Sequence, residues 1–242
     1  MNAGRVALFD VDGTLVRGLL IVDFPGYLAR TGCFDPGKES EIRSLAQLHR
    51  RGAVSYRYIS TRIPRLYAAG IEGQAQSRVR ELGRTFIREA KGRLFPYTKG
   101  LVSLMARSGF LTVAISGSPI EVVSPLKPLG FAKIFGTEME VRRGVYTGRV
   151  QRNLILSEEK KKVVGTIATK YPVDFENSFA FGDTEQDLPL LSEVGNPVSL
   201  NPNSALQVIA TAKGWPIPRS VLREVKALLP GRRDHRERER GT

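Results

Sequence analysis

The chain has a single cysteine, Cys33, in 242 residues. No disulfide can form within it, and a reducing, cytoplasmic setting is expected. Cys33 has no Cys or His neighbours at zinc-ligand spacing and reads as ordinary packing. Histidine is nearly as scarce: His49 and His235 stand in polar, arginine-rich surroundings without ligand partners and read as surface residues. Long apolar runs are also missing, none approaching the roughly 20 residues of a membrane span. The N-terminus passes at once into an apolar strand pattern, so no signal peptide is expected. Internal repeats and a glycine-rich phosphate loop of the Walker type are absent.

Basic residues, in contrast, are plentiful. The formal net charge is +13, and the excess is uneven. Residues 16–95 hold 15 Lys and Arg against 7 Asp and Glu, while the tail 230–242 holds 5 against 3. Such a surface attracts nucleic acid, anionic membrane or a phosphorylated substrate, and it is equally the look of a solvated arginine-rich face. Arg57, Arg62, Arg65, Arg78 and Arg84 fall in this stretch without singling out a ligand. The composition, 41% hydrophobic and 25% charged, is that of a globular protein.

Val6, Ala7, Leu8 and Phe9 form a continuous apolar run, as in a strand buried on both faces. A helical stretch follows, with helices expected at about 22–30, 39–51, 56–69 and 74–90. In the last of these, Val79, Leu82, Phe86 and Ala90 recur at helical spacing. From Pro96 onward apolar strands alternate with helices: a helix at 101–108, a strand FLTVAIS ending at Ser116, and a short helix limited by Pro125 and Pro128. The segments KIFGTEMEV and VYTGRV read as a hairpin around Arg143-Gly144. A helix at 157–171, the strand SFAFGD, a short strand in PVSLNP and a helix at 221–229 complete the pattern. Trp215 reads as packing. The fold class is α/β: a doubly wound parallel sheet, Rossmann-like, with an inserted α-helical cap. The expected domains are 1–15 and 95–229 for the core, 16–94 for the cap, and 230–242 as a charged disordered tail.

Three of these strands end in polar groups: Asp10 and Asp12, Ser116 with Gly117, and Asp183 with Asp187. In open α/β sheets ligands bind beyond the carboxyl ends of the strands. Like charges held together there repel, and burial sharpens the repulsion, so a cation is called for. Oxygen ligands from Asp10 and Asp183 suit Mg²⁺, which takes part of its shell from a substrate phosphate. A carboxylate can attack phosphorus and form an aspartyl-phosphate. A second, two residues on, can protonate the leaving alkoxide and then activate water. Ser116 and nearby backbone N–H groups at a helix N-terminus suit the phosphoryl oxygens. Of Lys160, Lys161 and Lys162, only Lys160 shares the face of Val163, Val164 and Ile167, whereas Lys162 sides with Gly165, Thr166 and Thr169.

Together, DVDGT, ISGS, the lysine ahead of an amphipathic helix, and GDTEQDLPLL resemble the four ordered motifs of the haloacid dehalogenase superfamily of phosphohydrolases. The match runs from Val6 to about Pro202. The helical insertion resembles the superfamily's C1-type cap, and the whole is most similar to the phosphoserine phosphatase-like subfamily IB. The resemblance implies Asp10 as nucleophile and Asp12 as general acid/base. It also implies Mg²⁺ on Asp10, the Asp12 carbonyl and Asp183, with Ser116, Gly117 and Lys160 on the phosphate. Asp187 would orient Lys160 or the metal's waters, and Thr14 and Gly182 would support the site. Two positions depart from phosphoserine phosphatases. Leu19 stands where they carry a Glu that recognises the substrate amine, and Gln186 replaces their usual Asn. A more apolar or more anionic phosphomonoester than phosphoserine is therefore expected. The runner-up readings are a phosphotransferase using the same intermediate, and a basic nucleic-acid or anionic-membrane binder on this scaffold. Nucleic acid is the less expected partner, peripheral contact with anionic membrane stays open, and the oligomeric state is not legible.

Overall fold

The computed structural model describes residues 4–229, so the tail 230–242 and His235 lie outside the described residues. Strand β1 (Arg5–Phe9) occupies the centre of a six-stranded sheet. It pairs in parallel with β2 (Phe110–Pro119) on one side and β5 (Phe179–Gly182) on the other. Strand β3 (Lys133–Arg142) extends the sheet in parallel beyond β2, and β6 (Asn196–Ser199) beyond β5. Strand β4 (Val145–Arg152) closes the far edge antiparallel to β3. The β3–β4 turn is the expected one: Arg143 and Gly144 both have positive φ, as a tight hairpin with right-handed twist requires.

The continuous apolar run of β1 follows from burial on both faces. Ala7 and Phe9 point into one core, Val6 and Leu8 into the other. On the first face the Phe9 ring stacks on Phe181 at 4.7 Å and meets Phe131 edge-on at 5.5 Å. That core also holds Leu101, Val102 and Met105 of α5 (Thr98–Arg107) and Val221 and Val225 of α10 (Val221–Leu228). The second face is covered by Val163, Val164 and Ile167 of α7 (Ser157–Lys170) and Leu190 and Leu191 of α8 (Leu188–Leu191). Full burial of each such side chain contributes about 1.5–3 kcal/mol.

Between β1 and β2 the chain forms α1 (Leu20–Arg30), α2 (Pro36–Arg50), α3 (Tyr56–Gly70) and α4 (Gln76–Glu89). The chain leaves and rejoins the sheet layer side by side, since Val16 bridges Leu94 and the Arg17 N–H donates to the Arg93 carbonyl. Asp35 and Ser55 cap α2 and α3 by accepting from Lys38 N and Tyr58 N. The buried faces of all four helices join the first core.

Helix α6 (Ile120–Val123) is one turn long, and Ser124–Leu129 continues as a 3₁₀ segment because Pro125 and Pro128 cannot extend an α-helix. Helix α9 (Ser204–Lys213) was not expected from the pattern. Only Leu206 and Ala210 are fully buried on it, while Val208 faces solvent, so its apolar periodicity is weak. Its ends carry the signal instead: Asn203 caps Leu206 N, and Gly214 stops the helix with φ +67°. Trp215 packs at the edge of the second core, as expected. Cys33 is buried, and His49 is half-buried with Nδ1 on the Val54 carbonyl oxygen.

Candidate active site

The carboxyl ends of the neighbouring strands β2, β1 and β5 converge, and the chain changes winding direction between β1 and β5. Asp10 follows β1 directly, held by its N–H donating to the Phe181 carbonyl at 2.9 Å. Lys160 sits in the first turn of α7, its side chain buried, while Lys161 and Lys162 are exposed. Its Nζ donates to Asp10 Oδ1 at 2.9 Å and to Asp187 Oδ1 at 2.7 Å. The other Asp187 oxygen accepts from Asp183 N, Thr184 N and Thr184 Oγ1. Asp187 therefore has both oxygens committed, and it fixes Lys160 and the Gly182–Thr184 turn. Gly182 lets it approach, because a Cβ there would lie 2.6 Å from the Asp187 Cβ.

Asp183 is oriented by Thr14, whose Oγ1 donates to Asp183 Oδ1 at 2.9 Å. Its Oδ2 rests against Gly13, whose φ is +85° and where an added Cβ would come within 2.0 Å. One oxygen each of Asp10, Asp183 and Asp187 lies within 4.8 Å of the others. Among the described residues, Oδ2 of Asp10 and Oδ2 of Asp183 accept no hydrogen bond, so Asp10 keeps one oxygen free to react while Asp183 offers a ligand to a hard divalent cation.

Asp12 is held differently. Its Oδ1 accepts from Leu20 N at 2.7 Å and Ser118 Oγ at 3.1 Å, and its Oδ2 accepts from Ser116 Oγ at 2.8 Å. Ser118 Oγ also accepts from Ile21 N at 2.9 Å. Leu19 precedes α1 and offers no cap, so two orphan N–H groups of that helix are satisfied by Asp12 and Ser118. This explains why α1 begins at Leu20, ahead of the expected Val22. Ser116 is fully buried, with its hydroxyl on Asp12, and strand β2 runs past it to Pro119. Gly117 and Ser118, three and two residues ahead of the α6 turn, line the open space.

Electrostatics follow from this crowding. Asp10, Asp12, Asp183 and Asp187 face one ammonium, Lys160. Burial, then repulsion from Asp187, holds the Asp10 carboxyl well above its ordinary value, against the pull of Lys160. Burial and Asp187 push Asp183 up to about 7. Burial raises Asp12 too, tempered by the Leu20 N–H and the two serine hydroxyls. Burial pulls the Lys160 ammonium down, but Asp10 and Asp187 outweigh it and keep it well above the usual lysine range. A cluster with this excess of carboxylate fits a bound cation.

These groups form one wall of a cavity of about 320 Å³. The other wall comes from the helical insertion and the 153–156 turn: Leu19, Ile21, Tyr56, Ile59, Ile63 and Ile155. Sequence reasoning missed Ser118, although its two-residue spacing from Ser116 places both on one side of a strand. It also missed Tyr56, Ile59 and Ile63, whose helical spacing reads as core.

Residues 7–192 match the family model of haloacid dehalogenase-like hydrolases. Among similar proteins, a phosphoserine phosphatase of Mycobacterium tuberculosis is 26% identical over 220 residues, covering 87% of this chain and 69% of the relative. A histidinol-phosphatase of Neisseria meningitidis is 26% identical over 220 residues, covering 88% and 97%. A solved protein of unknown function from Bordetella pertussis superposes with a TM-score of 0.73 at 25% identity, covering 89% of this chain and 98% of that one. A substrate-bound phosphoserine phosphatase shares the fold, with a TM-score of 0.66 at 18% identity over 95% of this chain and 100% of the other. The chain belongs to the haloacid dehalogenase-like hydrolases, as a phosphoric monoester hydrolase.

Proposed function

We propose that the chain hydrolyses a small phosphomonoester through an aspartyl-phosphate on Asp10, with Mg²⁺ as cofactor. One observation carries this reading. Asp10 is buried in the cavity wall with one oxygen pinned by Lys160 and the other free of hydrogen bonds among the described residues. A carboxylate so held is positioned as a nucleophile and shielded from water. Its free oxygen attacks phosphorus, the bond from phosphorus to the ester oxygen breaks, and Asp12 gives the leaving alkoxide its proton. Asp12 then takes a proton from water, whose oxygen attacks the same phosphorus and releases phosphate from Asp10. Lys160 neutralises charge at Asp10, and Asp187 holds Lys160 on line. Gly117 and Ser118 at the cavity, with Ser116 behind them, are the candidate holds for phosphoryl oxygens. Ser116 reaches that role only by giving up its bond to Asp12.

Asp10, Asp183 and the Asp12 carbonyl would hold Mg²⁺, which neutralises phosphoryl charge when bound. In this reading residues 16–94 are a cap over the core formed by 1–15 and 95–229, and the protein works in the cytoplasm. Its partner is the small phosphorylated substrate rather than nucleic acid, with peripheral anionic-membrane contact left open. The described residues include no helix long and apolar enough to cross a membrane.

Phosphate release from a panel of phosphomonoesters, with and without Mg²⁺, tests this against Asp10→Asn. Mass spectrometry of acid-quenched enzyme should find one phosphoryl group on the peptide carrying Asp10, and none in the variant. Transfer of the phosphoryl group from Asp10 to an added alcohol instead of water would identify the phosphotransferase. Unchanged activity in Asp10→Asn would overturn the mechanism.

A further inference from the structure

The two ends of the cavity differ in kind, and this difference selects the substrate's organic half. Among the described residues, every charged side chain lining the cavity belongs to the strand-end wall: Asp10, Asp12, Lys160, Asp183 and Asp187. The helical wall offers Leu19, Ile21, Ile59 and Ile63, with Ile155 closing over them. Its two hydroxyls are already committed: Tyr56 Oη donates to the Ile155 carbonyl at 3.1 Å, and Ser60 Oγ to the Arg57 carbonyl at 3.0 Å. Arg57 and Glu158 line an adjoining groove that shares Tyr56, Ser60 and Ile155, and they are not among the residues that line this cavity.

An ammonium carried to this wall would lose water and gain no free carboxylate, since Asp12 is already bonded by three donors. A carboxylate would add to four acidic groups that face one lysine. An alkyl or aryl group loses only apolar contact with water, and gains contact with isoleucine and leucine. We propose that the substrate is the phosphate ester of a compact, uncharged, apolar alcohol, and that Leu19, Ile59 and Ile63 set this preference. The inference rests on the reading above, in which the strand-end wall takes the phosphate.

The test compares benzyl phosphate and hexyl phosphate with phosphoserine and histidinol phosphate, all esters of alkyl alcohols. The expected result is a kcat/KM at least about tenfold higher for the apolar esters, the scale on which an apolar pocket discriminates. Leu19→Glu, at a half-exposed position that tolerates a charge, should shrink that ratio by about tenfold by placing a carboxylate on the apolar wall. Binding supplies an independent readout. Titration calorimetry on Asp10→Asn should find 2-phenylethylphosphonate bound more tightly than 2-amino-4-phosphonobutanoate, the non-hydrolysable counterparts of benzyl phosphate and phosphoserine. Turnover that favours phosphoserine or histidinol phosphate overturns the proposal and leaves the hydrolase reading standing. Apolar preference in binding without turnover of any ester does the reverse. Equal binding of the two phosphonates also overturns it.

Discussion

The strand-end wall and the helical wall of one cavity are built on opposite principles. On the strand-end wall every charged group is held by another element. Lys160 of α7 clamps Asp10 after β1 and Asp187 after β5, and Thr14 clamps Asp183. No group there can change without leaving a buried partner unpaired, so substitutions should be large and non-additive. On the helical wall Leu19, Ile21, Ile59 and Ile63 offer apolar contact, and their substitutions should be smaller and more nearly additive. A scaffold of this kind can keep its chemistry and change its substrate by altering one wall.

The largest expected effect lies on the strand-end wall. Asp10→Asn should lower kcat by roughly 10³-fold or more, as loss of a nucleophile does. A loss under about tenfold, measured by steady-state phosphate release, would remove the contrast between the walls. Next comes Lys160→Met, which keeps the length of the side chain and removes the charge. It should cost roughly a hundredfold in kcat and about 3 kcal/mol of stability, because Asp10 and Asp187 are left facing each other in a dry site. Denaturant unfolding checks the second figure, and an unchanged midpoint would show that the clamp is not structural. Smaller again is Thr14→Val, which removes one hydrogen bond to Asp183 at nearly constant shape. The Mg²⁺ concentration for half-maximal rate should rise about tenfold, with kcat at saturating Mg²⁺ nearly unchanged. A drop in kcat at every Mg²⁺ concentration would instead place Thr14 in the chemistry.

Apart from Ser118, the strand-end wall was legible in the sequence, whereas on the helical wall only Leu19 stood out. A buried strand that ends in carboxylates is a local pattern, visible in ALFDVD and SFAFGD without knowing what lies beside it. Helical phase alone separated Lys160 from Lys161 and Lys162, because only one of the three shares the face of Val163 and Ile167. Ile59 and Ile63 carry the same four-residue spacing as any core stripe, and only the turn of the chain at Val16 and Leu94 brings them over Asp10. The start of α1 was misplaced for a related reason. Its capping acceptors come from Asp12 and Ser118, eight and 97 residues away from their donors. Local cap signals could not report them, just as weak periodicity hid α9.

The smallest effect concerns a carboxylate outside the cavity, and it sharpens the comparison by showing a buried acid without a clamp. Glu121 opens α6 with its side chain buried, Oε1 accepting from Tyr146 Oη at 2.7 Å. Its Oε2 and the Tyr67 Oη have no hydrogen-bond partner among the described residues. Tyr67 of α3, Tyr146 of β4, Arg80 of α4 and Glu138 of β3 are the titratable groups around it. Burial raises the Glu121 carboxyl above 4.5, and the Tyr146 bond and Arg80 do not cancel that rise. A group whose folded value is raised contributes stability that is complete below its unfolded value and is lost as pH climbs through the folded one. Glu121→Gln keeps an acceptor for Tyr146 and cannot ionise. Its melting temperature should match the wild type in acid and exceed it by about 3 °C at alkaline pH, the shift that roughly 1 kcal/mol produces in a chain of this size. Scanning calorimetry across that range decides the matter. A difference independent of pH would mean that Glu121 keeps one protonation state throughout.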